Sequence, residues 1–273
     1  MFYFLVTRLR IRLAVRRKVS GAEKLPSANI DESSYWSRLD WFSFATIAAR
    51  VDAFTTPANF MVERICRCNL RLSGKAHIIP TGVNATMTAA MRQAKRQPAT
   101  VVKFASICRL QPEKRVDVII KAFIAANLPG SELHIAGSGD QEMSLKRLAQ
   151  NSPNIIFHGH LSQIEDVANF YAQSGVFVLA SYGFDTQAMT IGEAVRAGLP
   201  VIYCDPRLTV GTDGGNSILT TSPDIEAFAT AMQQLTDDTL RQTLAAASHR
   251  LAPRLSPKRM AEQYVDAYCK IGH

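Results

Sequence analysis

Asp185 and Glu193 stand with seven residues between them in the stretch Ser181-Tyr182-Gly183-Phe184-Asp185-Thr186-Gln187-Ala188-Met189-Thr190-Ile191-Gly192-Glu193-Ala194. With Asp185 in a loop and Glu193 two turns into a helix, both carboxylates can face one crevice. Ionised carboxyls accept hydrogen bonds, and the vicinal hydroxyls of sugars and riboses donate them. The helix start beside them offers unpaired amides to a phosphate. Thr186, Gln187, Ala188, Met189 and Thr190, in the loop and the first turn, are read as contacts to the same ligand. A helix-capping Asp185 and a surface Glu193 would fit the spacing equally well, so the spacing leaves both readings open.

Two cations precede this stretch. Arg109 closes an apolar run, and Leu110-Gln111-Pro112-Glu113-Lys114 follows it. Arg grips two oxygens at once and Lys supplies a point charge, a pairing that suits a diphosphate. Lys114 also fits a surface charge at a helix start, although a cation there opposes the helix dipole. Gly137-Ser138-Gly139 follows another apolar run, and its glycines permit a tight turn and close approach of a ligand; an ordinary turn would look the same. His158-Gly159-His160 follows a third. No second pair of ligands completes a metal site around these histidines, so they are read as loop residues whose backbone meets a nucleotide base.

These residues share a position in a repeated rhythm of strand, turn and helix. TVVKFASIC, ELHIAG, NIIFHG, GVFVLA and LPVIYC read as strands. RVDVIIKAFIAA, MSLKRLAQ, IEDVANFYAQS and AMTIGEAVRAG read as helices. Apolar strands without alternation, each followed by an amphipathic helix, predict a parallel sheet covered on both faces. Five such units predict a doubly wound α/β domain over residues 100–273, whose ligand lies at the carboxyl ends of the strands. DIEAFATAMQQL, DTLRQTLAAASHRL and PKRMAEQYVDAYCKI read as closing helices, the last of them placed to pack back on the preceding lobe. Residues 1–86 give helix SRLDWFSFATIAAR, strand DAFTTP, helix ANFMVERICRCNL and strand KAHIIP, the tail of a Rossmann-like lobe. Residues 87–99 read as a linker.

The composition is globular: 47% of 273 residues are apolar and 20% charged. No apolar run reaches the roughly 20 residues of a membrane-spanning helix. The net charge is +8. Arg8, Arg10, Arg12, Arg16, Arg17 and Lys18 interleave an apolar complement, which suits an anionic membrane surface or a solvated helix packed on the adjoining lobe. No nucleic-acid motif accompanies the charge, and no secretory signal is read at the start. The five cysteines are scattered; Cys66 and Cys68 lack a completing pair for zinc, and reduced thiols point to the cytoplasm.

Taken in order, IPTGVN, CRLQPEKRVDVIIKAF, LHIAGSGD, IIFHGHLS, DTQAMTIGEAVRAGLPVI and GGNSIL resemble the successive blocks of glycosyltransferase family 4 over roughly residues 50 to 272. The resemblance implies the GT-B fold, with one complete Rossmann-like domain following a partial N-terminal lobe. It implies transfer of a hexose from a UDP- or GDP-sugar, with retention and without a metal or other cofactor. Arg109 and Lys114 would match the pair that holds the donor diphosphate. Asp185 and Glu193 would match the paired acids, the first touching the transferred sugar and the second the donor ribose. The usual first acid is Glu, so Asp185 shortens the reach. Its Asp-Thr-Gln wording is similar to that of lipid-directed members.

The early glycine-rich loop of the family is missing here, and so are most acceptor-binding residues. The expectation is therefore a chain that needs a complementing N-terminal lobe or associates with itself. Trp36, Trp41, Phe42 and Phe44 would be its exposed apolar surface. A donor-binding subunit or inactive remnant is the alternative, with a sugar-nucleotide 2-epimerase behind it.

Overall fold

The structure is a computed structural model that describes residues 43, 45–68, 70–94 and 101–271. The basic start and the aromatic cluster from Trp36 to Phe44 lie outside the described residues. So does the second half of the stretch read as a linker.

The first part of the chain contributes β1 (Phe54–Thr56), α1 (Asn59–Cys68) and β2 (Ala76–Ile78), and the two strands pair in parallel. Lys75 ties the pair to the preceding turn by donating to the carbonyls of Ala49 and Val51 at 3.3 and 2.7 Å. α2 (Ala85–Gln93) follows, its amino end capped by Asn84, which accepts from the Thr86 amide. The expected linker is thus helical in its first half. Small apolar residues drive this: Val83 and Met87 are buried against Ala168 of a later helix.

The rest builds a six-stranded sheet. In chain order the elements are β3 (Val102–Ile107), α3 (Val116–Ala126), β4 (Ser131–Ala136), α4 (Glu142–Leu148), β5 (Ile155–Gly159) and α5 (Ile164–Ala172). They continue as β6 (Val176–Leu179), α6 (Met189–Arg196), β7 (Val201–Tyr203), β8 (Ser217–Leu219), α7 (Ile225–Gln234), α8 (Asp238–Leu251) and α9 (Pro257–Ile271). Each neighbouring pair is parallel, in the order β5-β4-β3-β6-β7-β8. The chain runs outward from β3 to one edge, crosses back through α5, then runs outward from β6 to the other. The order therefore reverses between β3 and β6, and a parallel sheet opens a crevice at that point, beyond the strands' carboxyl ends.

The core explains the strand composition. Every residue of Val176-Phe177-Val178-Leu179 is buried because both faces of β6 are covered. Val176 and Val178 pack with Phe104, Leu133 and Ile202 beneath α3 and α7. Phe177 and Leu179 pack with Tyr171 and Ile191 on the opposite face. Asp224 and Asp237 start α7 and α8 as side-chain caps. β8 was not anticipated from the sequence; three partly exposed residues carry too little pattern to announce a strand.

The two sheets meet along the segment that leaves β2. Val83 donates to the Leu255 carbonyl at 2.9 Å, and the Gly82 amide reaches the Met260 sulfur on α9 at 3.3 Å. A Cβ on Gly82 would stand 2.7 Å from the Ser256 carbonyl oxygen, so the glycine is needed for this close approach. Among the described residues no helix is long and apolar enough to cross a membrane.

Candidate functional site

The loop leaving β3 carries Cys108, Arg109 and a short turn at Pro112–Lys114. Arg115 then takes the left-handed conformation (φ 51°) that turns the chain into α3. The loop leaving β6 runs from Ala180 to Ala188. Lys114 spans the crevice between the two loops: its ammonium donates to both carboxylate oxygens of Asp185, at 2.7 and 2.9 Å. The two side chains are 13% and 14% exposed, and the Phe184 ring lies 5.1 Å from the ammonium. Arg115 pins the same loops together, donating to the Ala180 carbonyl at 3.3 Å. Arg109 is different: its side chain is 68% exposed and, among the described residues, is paired with Glu113, at 3.3 Å. It is a cation at the rim with freedom to turn inward.

Glu193 lies deeper. Its Oε2 accepts from the Tyr171 hydroxyl at 2.8 Å. Burial raises the carboxyl's pKa above its ordinary value, and the tyrosine hydrogen bond draws it part of the way back. Tyr171 is fully buried, and that burial, together with Glu193, holds the phenol well above its usual range. Burial pushes the Cys108 thiol up to about 11, with Lys114 opposing the rise and Asp185 adding to it. No side chain caps the amino end of α6 at Ala188, so the first amides of that helix have no side-chain competitor for a ligand. Thr190 lies in that first turn, and its carbonyl is 3.4 Å from the Tyr171 hydroxyl. Met189 is partly exposed there.

Asp205, after β7, supports the site from behind. It is 1% exposed and accepts from the Gly183 amide at 2.8 Å. It also accepts from the Arg207 amide at 3.0 Å and from its guanidinium at 2.9 and 2.7 Å. Burial alone would raise its pKa, but these donors outweigh burial and lower it. Gly183, at φ +74°, is thus held in the loop that carries Asp185.

Other residues singled out in the sequence are engaged elsewhere. Gly137, at φ +126°, and Gly139 let the loop after β4 lie against the loop after β3. Their Cβ atoms would fall 1.9 Å from the Cys108 carbonyl oxygen and 2.4 Å from that of Leu110. The Leu110 amide donates to the Ser138 carbonyl at 2.9 Å. The close approach these glycines permit is to backbone. The Gln187 side chain is committed to the first sheet: it donates to the Thr81 carbonyl and accepts from the Thr81 amide, both at 2.8 Å. That clasp spends both ends of the amide, so the side chain is not free for a ligand. Thr186 lies between Asp185 and Gln187 in the loop.

His158 and Gly159 are strand residues and do not lie in a loop as expected. The His158 ring meets His134 at 2.8 Å, and His134 meets Glu132 at 2.9 Å. Burial and His134 lower the His158 pKa. With Lys103 and Asn169 these rings line a cleft of about 210 Å³ down the face of the sheet, away from the β3–β6 crevice. Only Gly159 and exposed His160, at the strand's end, remain near the mouth; the Gly159 carbonyl accepts from Gly137 at 2.7 Å.

A parallel six-stranded sheet whose strand order reverses between β3 and β6 defines a doubly wound α/β domain, and the charged crevice lies at its switch point. Residues 101–238 match the family described as Glycosyl transferases group 1, and the chain belongs to that family. The GDP-mannose-dependent monoacylated alpha-(1-6)-phosphatidylinositol monomannoside mannosyltransferase of Corynebacterium glutamicum is 27% identical over 265 residues, covering 87% of this chain and 67% of that protein. The lipopolysaccharide core biosynthesis glycosyltransferase LpsE of Rhizobium meliloti is 29% identical over 181 residues, covering 64% and 50%. The pneumococcal O-GlcNAc transferase GtfA, solved with UDP and GlcNAc, superposes with a TM-score of 0.65 at 24% identity, over 85% of this chain and 47% of that one. The chain thus spans about half to two thirds of the length of these relatives. It shares the GT-B fold with its structural neighbours.

Proposed function

We propose that the chain is a hexosyltransferase that takes its sugar from a UDP- or GDP-sugar bound in the β3–β6 crevice and passes it to a membrane lipid, with retention and without a metal. One observation carries this reading: the part-buried Lys114–Asp185 pair bridges the two loops at the topological switch point. A donor offers each partner a better complement. Its diphosphate takes Lys114, and the sugar hydroxyls take the carboxylate that is released. Arg109 turns in from the rim to the same diphosphate, and the amino end of α6 faces it with amides that no side chain caps. Charge grows on the diphosphate as its bond to the sugar breaks, and these groups would stabilise it. Asp185 orients the sugar, Glu193 receives the ribose, and Gly137, Ser138, Gly139, Gly159 and His160 border the base through their backbone.

The two curated relatives support a lipid acceptor, since the name of one gives a phosphatidylinositol mannoside and that of the other lipopolysaccharide core. The interleaved cations of residues 8 to 18 would bring the chain to the cytoplasmic face of an anionic membrane.

The test is to incubate the folded protein, with a complementing N-terminal lobe supplied as a second chain, with labelled GDP-mannose or UDP-glucose and anionic lipid vesicles containing candidate glycolipid acceptors. The expected product is a glycolipid of unchanged anomeric configuration, formed in the presence of a chelator and absent with Lys114→Ala. An inverted product would overturn retention, and chelator sensitivity would overturn metal independence. Failure to bind either donor would overturn the whole reading.

A further inference from the structure

The two acids of the crevice have partners of different kinds: Asp185 faces a cation, and Glu193 faces a neutral hydroxyl. Tyr171 comes from the last turn of α5, outside every loop that follows a strand of the sheet. Phe170 and Phe177 fix its ring, with centroids 6.1 and 6.0 Å away. The hydroxyl is 2.8 Å from Glu193 Oε2 and 3.4 Å from the Thr190 carbonyl oxygen, so its one hydrogen belongs to the carboxylate. Both hydrogen-bond partners of the hydroxyl are acceptors, so the phenol donates.

We propose that Tyr171 is a positioning residue of the donor site: its hydroxyl holds Oε2, fixes the Glu193 rotamer and leaves Oε1 to accept from the donor ribose. This rests on the reading of Glu193 as the ribose acceptor. The titration of the carboxyl follows from the same contact. The titratable groups that face it are the Tyr171 phenol from α5 and, beyond the phenol, the Cys108 thiol after β3. The phenol is held well above its ordinary range and the thiol at about 11, so both stay neutral near pH 7. Burial alone raises Glu193, and the tyrosine opposes it. Without the hydroxyl the carboxyl takes up its proton at a higher pH. A protonated carboxyl accepts the ribose poorly, so donor affinity is lost earlier as the solution is acidified.

The experiment is calorimetric titration of the full chain with UDP-glucose and GDP-mannose between about pH 4 and 8, the range around a raised carboxylate. The diphosphate of a nucleotide sugar carries no proton that titrates in this range. Wild-type affinity should fall as pH drops through Glu193. Tyr171→Phe should bind about tenfold more weakly at neutral pH and move the fall to higher pH. In the Glu193→Gln background the same substitution should have no effect on the pH profile. A 3-fluorotyrosine placed at position 171 alone keeps the shape, donates more strongly and should move the fall downward. Wild-type affinity and profile in Tyr171→Phe, while Glu193→Gln binds weakly, would overturn the role of Tyr171 alone. If Glu193→Gln itself binds like wild type, the ribose reading fails and the inference goes with it. If Tyr171→Phe does not fold, an unmoved profile in the fluorotyrosine protein overturns the proposal.

Discussion

The loops leaving β3 and β6, and the strands β4 and β5 with the turns that follow them, belong to one sheet, and both regions carry glycines and ionisable side chains. At β3 and β6 the charges converge: Lys114 reaches across to Asp185, and Glu193 accepts from Tyr171. At β4 and β5 they turn on one another: His158 meets His134, which meets Glu132, along the face of the sheet. The glycines there bring two backbones together. Strand order accounts for the difference. The strand order reverses between β3 and β6, so their loops part and leave a crevice. The loops of β4 and β5 follow their neighbours the same way and close against each other. Residue type alone could not separate the two regions; their place in the sheet does.

Breaking the crevice pair should have the largest effect. Lys114→Met leaves Asp185 mostly buried without its cation. Removing one partner of a buried pair costs about 3–5 kcal/mol, and the remaining exposure puts this one near the lower figure. Urea unfolding checks this, and Asp185→Asn in the same chain should recover part of the loss. Unchanged stability in Lys114→Met would mean that the pair is solvated and the crevice is not organised around it.

The next effect sharpens the division of labour between the acids. Glu193→Gln should weaken both the free nucleoside diphosphate and the nucleotide sugar by about 1.5–3 kcal/mol, the range for hydrogen bonds to charged groups. Asp185→Asn should weaken the nucleotide sugar only. Equal losses on both ligands for Asp185→Asn would erase the split.

Behind the crevice, Asp205→Asn should cost about 1–2 kcal/mol of stability, since the Gly183 amide and the Arg207 guanidinium lose an ionised acceptor. The Asp205 pKa is lowered in the folded protein, so its contribution is complete above the unfolded value near 3.9 and is lost as pH falls toward the folded one. The wild type should therefore lose this increment in acid and the variant should not, which unfolding at two pH values would show.

The smallest effect belongs to the outer strands. His158→Asn should leave donor affinity within about 0.5 kcal/mol of wild type, as for a surface change away from the site. A tenfold loss would mean that the β5 end reaches the ligand through its side chain.

Much of this architecture was legible because apolar runs and helical periodicity persist through β3 to β7 and their helices, where burial on both faces leaves little choice of residue. β8 was not legible, being three residues long with a half-exposed Ser217-Ile218-Leu219. The helix at Ala85–Gln93 was hidden by composition, since its small residues gain order only against Ala168 of α5. In the site, Arg109, Lys114, Asp185 and Glu193 stand out as charges after strands. Asp205 could have been found by the same rule, because it follows LPVIYC directly. Tyr171 could not, since an aromatic inside an amphipathic helix reads as core until the fold brings it to Glu193. The Gln187–Thr81 clasp joins residues 106 apart and has no local signature at either end.

The central claim is that the β3–β6 crevice, and not the β4–β5 cleft, holds a nucleotide diphosphate. Calorimetry of UDP and GDP with the folded wild type, Arg109→Ala and His158→Ala tests it most directly. The account predicts that at least one nucleotide binds the wild type and His158→Ala alike, and binds Arg109→Ala about 1.5–3 kcal/mol more weakly. A folded wild type that binds neither nucleotide, or a loss confined to His158→Ala, would contradict it.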